Sequence, residues 1–132
     1  MITGLNHITL AVSNLNTSMD FYCGVLGFKG EVKWDSGAYL SIGSLWLCLS
    51  LDKPCGKEDY THIAFSISNE AFDNYVEKLR YKGIIEWKEN RSQGHSMYIL
   101  DPDGHKLEIH TGSLNERLQS LKQDPYNGLE WL

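Results

Sequence analysis

No run of apolar residues in this sequence approaches the ~20 needed for a membrane-crossing helix. The start of the chain has neither a basic patch nor a long apolar stretch, so no secretory leader is expected. Cysteine is sparse: Cys23, Cys48 and Cys55 are odd in number and lack metal-type spacing. They read as reduced thiols, and the expected compartment is the cytoplasm. Basic charge is also short, with a formal net charge of -5 at pH 7. That argues against a nucleic-acid groove, which needs a basic face. A small anionic ligand is still possible, because a few local Lys and Arg can bind one phosphonate or carboxylate. With no low-complexity segment and 132 residues, the chain is the size of one domain.

What the sequence does have is an internal repeat. Leu5-Asn6-His7-Ile8-Thr9-Leu10-Ala11-Val12-Ser13 reads again as Tyr60-Thr61-His62-Ile63-Ala64-Phe65-Ser66-Ile67-Ser68. Two copies make a paired module rather than a solenoid. In the first module (about 1–51), a strand is expected near 3–12 and a helix over 17–26, with Met19, Tyr22, Val25 and Leu26 inward and Gly27 as a stop. Strands near 30–34, 38–42 and 45–50 follow. The second module (about 59–112) repeats the plan. Its helix covers 70–82, with Phe72, Tyr75, Val76 and Leu79 inward, and its strands lie near 84–88, 96–100 and 105–110. Asp101-Pro102-Asp103-Gly104 is a turn between the last two strands. Ser113 and Glu116 form a capping box for a last helix near 114–122, within a tail of 113–132. Residues 52–59 join the modules. The expected class is α+β: two paired βαβββ units forming a cup-shaped sheet.

Strand parity separates a core face from a polar one. One face carries His7 and Thr9, then Tyr39 and Ser41, then Trp46, Cys48 and Ser50. In the second module it carries His62, then Ser96 and Tyr98, then Glu108 and His110. The alternates Leu45, Leu47, Leu49, Ile63, Phe65, Met97, Ile99, Leu107 and Ile109 are core. Two imidazoles and a carboxylate suit a divalent cation in an open, catalytic site, which makes His7, His62 and Glu108 the candidate metal ligands. Cys48 is the counterpart of Glu108, so the set lacks a fourth ligand and leaves positions for substrate. A lone strand histidine is usually structural; the repeat is what favours ligation here. His110, at a strand end, and His105, in a turn, are expected on the surface, and His95 solvated in the polar loop 89–95. Trp34 and Trp46 read equally well as core filling, and Cys48 as an inert buried thiol. Lys88, Arg91, Ser92, Ser96, Tyr98 and Arg117 could bind a tetrahedral oxyanion. Spacing alone favours a solvated loop and a helix-surface charge.

Gly4-Leu5-Asn6-His7, Trp34-Asp35-Ser36-Gly37-Ala38-Tyr39, Leu45-Trp46-Leu47-Cys48-Leu49-Ser50, Asp59-Tyr60-Thr61-His62, Trp87-Lys88-Glu89-Asn90-Arg91-Ser92 and Asp101 to Glu108 resemble the FosA-type fosfomycin resistance proteins of the vicinal oxygen chelate (glyoxalase-like) superfamily. The resemblance spans the chain, including Asp124-Pro125-Tyr126. It implies a homodimer with domain-swapped modules, each site taking His7 from one protomer and His62 and Glu108 from the other. It implies Mn²⁺ and K⁺ as cofactors, and glutathione adding to the epoxide of fosfomycin. Thr9 would bond the oxirane oxygen. Lys88, Ser92, Ser96, Tyr98 and Arg117 would bind the phosphonate, with Tyr39, Trp46 and Tyr60 also at the substrate. Asn90, Ser92, Gly94 and Ser96 would form the K⁺ loop, and Trp34, Ser36, Ser50, Lys88 and Arg91 the glutathione path. The chain departs from the pattern at Gln93, where many relatives carry Glu, and at His95, often Ala or Asp, which removes one negative charge beside the cation loop.

The alternatives on the same fold change the nucleophile to water, bacillithiol or cysteine, or discard catalysis for a metal-free drug-binding protein. A hydrolase needs a general base near the epoxide, and the segment 34–39 offers only Asp35, on the alternate face. A binding protein has no need of His7, His62 and Glu108 together.

Overall fold

The computed structural model describes residues 1–56 and 58–132. It divides into two compact units, one of Met1–Thr61 with Leu100–His105, the other of His62–Ile99 with Lys106–Leu132. The expected linker 52–59 holds neither helix nor a full strand in its described residues, and Lys57 lies outside them. No helix among the described residues is long and apolar enough to cross a membrane.

The first unit contains β1 (His7–Val12), α1 (Leu15–Met19) with a π-helical continuation (Asp20–Val25), β2 (Lys29–Trp34), β3 (Gly37–Ile42) and β4 (Leu45–Leu51). Its sheet order is β1-β4-β3-β2, with β1 and β4 parallel and the other pairs antiparallel. The second unit contains β5 (Ile63–Ser66), α2 (Asn69–Tyr81), β6 (Glu86–Lys88), β7 (Ser96–Leu100), β8 (Lys106–His110) and α3 (Leu114–Gln123). Its order, β5-β8-β7-β6 with β5 and β8 parallel, is the same topology. The repeat read from the sequence is therefore a repeat of architecture, βαβββ twice.

The elements differ from expectation mainly at their starts. β1 begins at His7 rather than near residue 3, and residues 1–6 are exposed. α1 begins at Leu15 because Asn14 caps it, accepting a bond from Thr17 N at 2.9 Å. The π-helical stretch changes which side chains face inward. A wider turn brings the adjacent Phe21 and Tyr22 into the core together, while Met19 and Val25 are only half-buried. Their rings meet edge to face at 5.0 Å. α2 fits the 70–82 reading within a residue and buries Phe72, Val76 and Leu79; Tyr75 stays half-buried. It stops in a Schellman motif, Gly83 N to Arg80 O at 3.0 Å and Ile84 N to Leu79 O at 3.1 Å, with Gly83 at φ +70. α3 carries both bonds of the capping box, Glu116 N to Ser113 Oγ at 3.2 Å and Ser113 N to Glu116 Oε2 at 2.8 Å.

Strand alternation builds the core. In the first unit Leu10, Val12, Ala38, Leu40, Leu47 and Leu49 are buried. A fully buried Leu contributes about 1.5–3 kcal/mol relative to exposure. In the second, Met97, Ile99, Leu107 and Ile109 do the same. Leu45, Ile63 and Phe65, expected in the core, are only half-buried because they sit at strand ends or on a short strand.

The Asp101–Gly104 turn belongs to the first unit, although it joins two strands of the second. Gly104 takes φ +83 and closes the turn through its N–H to Asp101 O at 3.0 Å. Asp101 is buried; its Oδ1 accepts from the N–H of Asp103 and of His105, and its Oδ2 from Tyr22 OH at 2.8 Å. Burial first, and the Asp101 charge second, push the Tyr22 phenol far above its ordinary range. Asp103 accepts from Ser13 Oγ at 2.5 Å and from Ser13 N. His105, expected on the surface, is half-buried, with Nε2 2.7 Å from Ala11 O. A turn with this many polar partners is held by them rather than by solvent.

Tyr22→Phe leaves the Asp101 carboxylate buried without its phenol donor and is expected to destabilise the fold by about 1–3 kcal/mol. Urea unfolding should show a lower midpoint at unchanged slope; an unchanged midpoint contradicts this account of the turn.

Candidate metal centre and polar faces

In the first unit, register assembles the predicted face in cross-strand rows. His7 stands opposite Trp46, and Trp46 opposite Ser41. Thr9 stands opposite Cys48, and Cys48 opposite Tyr39. Ser50 pairs Gly37, and Trp34 pairs Gly37 from the other side. The rings form a series: His7 to Trp46 at 4.4 Å, Trp46 to Tyr39 at 5.2 Å, Tyr39 to Trp34 at 4.8 Å. Trp34 is 42% exposed and Trp46 38%, so neither is core filling. Gly37 is required where Trp34 crosses it, since a Cβ there would lie 2.5 Å from the indole. His7 is exposed, and its Nδ1 lies 2.7 Å from Asn6 Oδ1. Donation from Nδ1–H to Asn6 leaves Nε2 with the lone pair a cation needs. Thr9 is exposed on the same face, and Cys48, its cross-strand neighbour, is buried.

Glu31, at the β2 bulge, is not marked by any pattern in the sequence, yet it joins this face by accepting from Ser41 Oγ at 2.7 Å. The Ser41 bond, then Lys29, lowers its carboxyl below the usual range. Asp35 and Ser36 occupy the β2–β3 turn and are exposed, as is Ser50. Asp35 borders a groove of about 550 Å³ with Asn14, Asn16, Lys33 and Trp34. Tyr60 is exposed.

In the second unit, Glu108 stands opposite Ala64, and Ala64 is to His62 as Thr9 is to His7. Since Thr9 pairs Cys48, the registers make Cys48 and Glu108 equivalent positions. Glu108 is buried and has three polar partners. Its Oε2 is 2.9 Å from His62 Nε2, its Oε1 is 2.6 Å from Ser96 Oγ, and His110 Nδ1 is 3.4 Å from Oε1. His110 is therefore not a surface residue. A bond to Ser96 Oγ at 2.7 Å draws it in. His95 is exposed as expected, its ring 5.5 Å from Phe72.

Tyr98 is buried, 6.1 Å ring to ring from His62 and 5.2 Å from Trp87. Lys88, paired with Tyr98 across the strands, holds its Nζ 4.8 Å from that ring's centre. Trp87, absent from the expected site set, donates to Leu107 O at 3.1 Å and lies 5.7 Å from the His62 ring. In the polar loop, Asn90 is the organiser. Its Nδ2 donates to Gly94 O at 2.8 Å, and its Oδ1 accepts from Ser92 N and Ser92 Oγ at 3.1 Å. Arg117 reaches this loop from α3, donating to Gln93 O at 3.1 Å and Ser92 Oγ at 3.5 Å. Its Nε is buried with no hydrogen-bond partner among the described residues. Arg91 is exposed.

The structure thus brings His62 together with Glu108, and His7 with the aromatic series. Among the described residues no three His, Cys, Asp or Glu side chains gather as a metal-binding group. The donors nevertheless fit a divalent ion: an imidazole nitrogen and a carboxylate oxygen meet at 2.9 Å, and the equivalent histidine presents a second Nε2.

The duplicated βαβββ topology, with a histidine at or just before the start of each first strand, defines the class. The Glyoxalase/Bleomycin resistance protein/Dioxygenase superfamily profile matches residues 4–109, and the chain belongs to that superfamily. Within it, the similarity is to fosfomycin resistance proteins. The Serratia marcescens protein named Glutathione transferase FosA is 46% identical over 98% of this chain and 95% of its own. Metallothiol transferase FosB of Staphylococcus haemolyticus is 40% identical over 93% of this chain and 94% of its own. Among solved structures, a mutant of FosX from Listeria monocytogenes, complexed with Mn(II) and 1S,2S-dihydroxypropylphosphonic acid, aligns with TM-score 0.81 at 33% identity, covering 90% of this chain and 99% of that one.

Gly37→Ala drives the Trp34 indole off its glycine and is expected to cost about 1–3 kcal/mol. Its tryptophan emission should shift relative to wild type; identical spectra and melting temperature contradict the close packing.

Proposed function

We propose that this protein is a metal-dependent fosfomycin:glutathione transferase working as a homodimer in the cytoplasm, where glutathione is abundant and thiols stay reduced. The observation that carries this reading is the 46% identity to a glutathione transferase FosA over nearly the whole chain. The His62–Glu108 pair at 2.9 Å supports it. His7 of one protomer, with His62 and Glu108 of the other, would hold Mn²⁺. Bound there, the ion supplies Lewis acidity to the oxirane oxygen.

The remaining roles belong to the chain's own side chains. Thr9, exposed beside His7, donates a hydrogen bond to the oxirane oxygen as negative charge develops on it. Lys88, Tyr98, Ser92 and Arg117 neutralise and orient the phosphonate through charge and hydrogen-bond donors. Tyr39, Trp46 and Tyr60 bound the substrate. Trp34, Ser36, Ser50, Lys88 and Arg91 line the path of glutathione. Its thiolate forms a C–S bond as the epoxide C–O bond breaks, and the alkoxide then takes a proton. Asn90, Ser92, Gly94 and Ser96 would hold K⁺ through carbonyl and hydroxyl oxygens. Ser96 has one hydroxyl hydrogen, and Glu108 draws it at 2.6 Å. Ser96 therefore offers a lone pair that suits a cation; serving the phosphonate requires that hydrogen to turn away from Glu108.

A second reading has support in the 40% identical FosB relative: the same chemistry with another thiol. To separate the readings, metal-stripped protein is mixed with fosfomycin, Mn²⁺, K⁺ and glutathione, cysteine, bacillithiol or no thiol, and products are identified by ³¹P NMR. A glutathione adduct that requires Mn²⁺ is expected. An adduct only with bacillithiol or cysteine selects the second reading, a diol without thiol marks a hydrolase, and untouched epoxide throughout refutes all three.

Two substitutions probe the details. Gln93→Glu restores a carboxylate to the loop, and K⁺ activation should become stronger than in wild type; superimposable K⁺ titrations contradict this. Cys48→Ser, at the position equivalent to Glu108, should leave metal stoichiometry unchanged, and metal lost from that variant makes Cys48 a ligand.

A further inference from the structure

The imidazole of His110 is enclosed in the carboxylate cluster of the second unit. Its ring fills a space that two glycines leave: a Cβ built on Gly112 would lie 2.5 Å from Nε2, and one on Gly94 would lie 3.0 Å from Cε1. Gly94 needs glycine for its own backbone, at φ +85. Gly112 is not in the left-handed region, so its missing side chain serves the imidazole. From this cage, contacts run His110 Nδ1 to Ser96 Oγ at 2.7 Å, Ser96 Oγ to Glu108 Oε1 at 2.6 Å, and Glu108 Oε2 to His62 Nε2 at 2.9 Å.

Hydrogen counting gives this chain a direction. An ionised carboxylate can only accept, so the single Ser96 hydroxyl hydrogen lies toward Glu108. The close Nδ1 to Oγ contact then requires its hydrogen on Nδ1 of His110. We propose that His110 is a positioning residue that fixes Glu108 through Ser96, holding Oε1 in a hydrogen bond and turning Oε2 toward His62. Partners behind a ligating carboxylate commonly govern metal affinity in this way. Ser96 is shared between Glu108 and the 90–96 loop, and Gly94 of that loop packs on the ring. One imidazole therefore supports both the carboxylate and the loop. The role at a metal rests on the function proposed above; the orientation of Glu108 does not.

The test uses the full chain and Mn²⁺ affinity read by EPR titration. His110→Ala is expected to weaken Mn²⁺ binding by about 10- to 100-fold. His110→Asn, whose amide N–H can stand where Nδ1–H does, should recover most of it. His110→Gln, whose amide reaches the Nε2 position, should not. Gly112→Ala, which keeps every polar group but displaces the ring, should match His110→Ala. Wild-type affinity in His110→Ala, or equal rescue by Asn and Gln, overturns the positioning role. Long-range ¹H–¹⁵N spectra of the metal-free wild type provide a readout independent of variant folding. They should place a proton on His110 Nδ1, and a ring protonated on Nε2 alone overturns the chain of bonds. A wild-type protein with that Nδ1 proton but no Mn²⁺ binding refutes the proposed function while supporting the orientation of Glu108.

Discussion

In a parallel strand pair, facing side chains point the same way, and that constraint governs both halves of this protein. β1 lies beside β4 and β5 beside β8, so the first and last strands of each repeat form one surface. The histidine that opens each repeat is held at a defined distance along that surface from the last strand's polar residues. A slip of one residue in either pairing would send Glu108 or Cys48 into the core and a leucine or isoleucine to the polar face. The buried rows Leu10, Leu47, Leu49 and Leu40 in one unit and Leu107, Ile109, Met97 and Ile99 in the other oppose that slip, since exposing them forfeits their burial.

Duplication on this constraint yields two faces of different chemistry. The first is aromatic, with His7 stacked beside Trp46, Tyr39 and Trp34. The second is ionic, with Glu108 drawn on by His62 and Ser96, Lys88 over the Tyr98 ring, and Arg117 bonded to the Gln93 carbonyl. The equivalence of Cys48 and Glu108 is where the copies diverged. A buried thiol, between Thr9 and Tyr39 in the register, stands where the other copy has a carboxylate, and one repeat supplies a histidine where the other supplies a histidine and an anion.

The polar faces need support from behind, and it comes from short-range devices. Asn14, Ser68 and Ser113 cap the three helices. Asp101 and Asp103 tie the last turn to Tyr22 and Ser13. Asn90 shapes the loop that Arg117 grips from α3. Each places a polar group where it is satisfied by protein rather than by solvent, which keeps irregular backbone in one conformation.

The sequence by itself determined the repeat, the eight strands to within a few residues, and the face that each polar residue occupies. Alternation and turn chemistry are local, and a duplicated His-Ile motif needs no contact to be seen. It also singled out His7, His62 and Glu108 as candidate ligands, but not what they touch. Tertiary structure decided the partners. Phe21 and Tyr22 both turn inward because a π-helical turn breaks the 3.6-residue period that the sequence reading assumes. His105 reaches Ala11 across 94 residues, and His110 is drawn into the Glu108 cluster through Ser96, 14 residues away. Trp34 packs across Gly37 because the missing Cβ there leaves room for the indole. Hydrogen bonds between distant residues and space left by glycines are properties of the packed chain, and no local pattern encodes them.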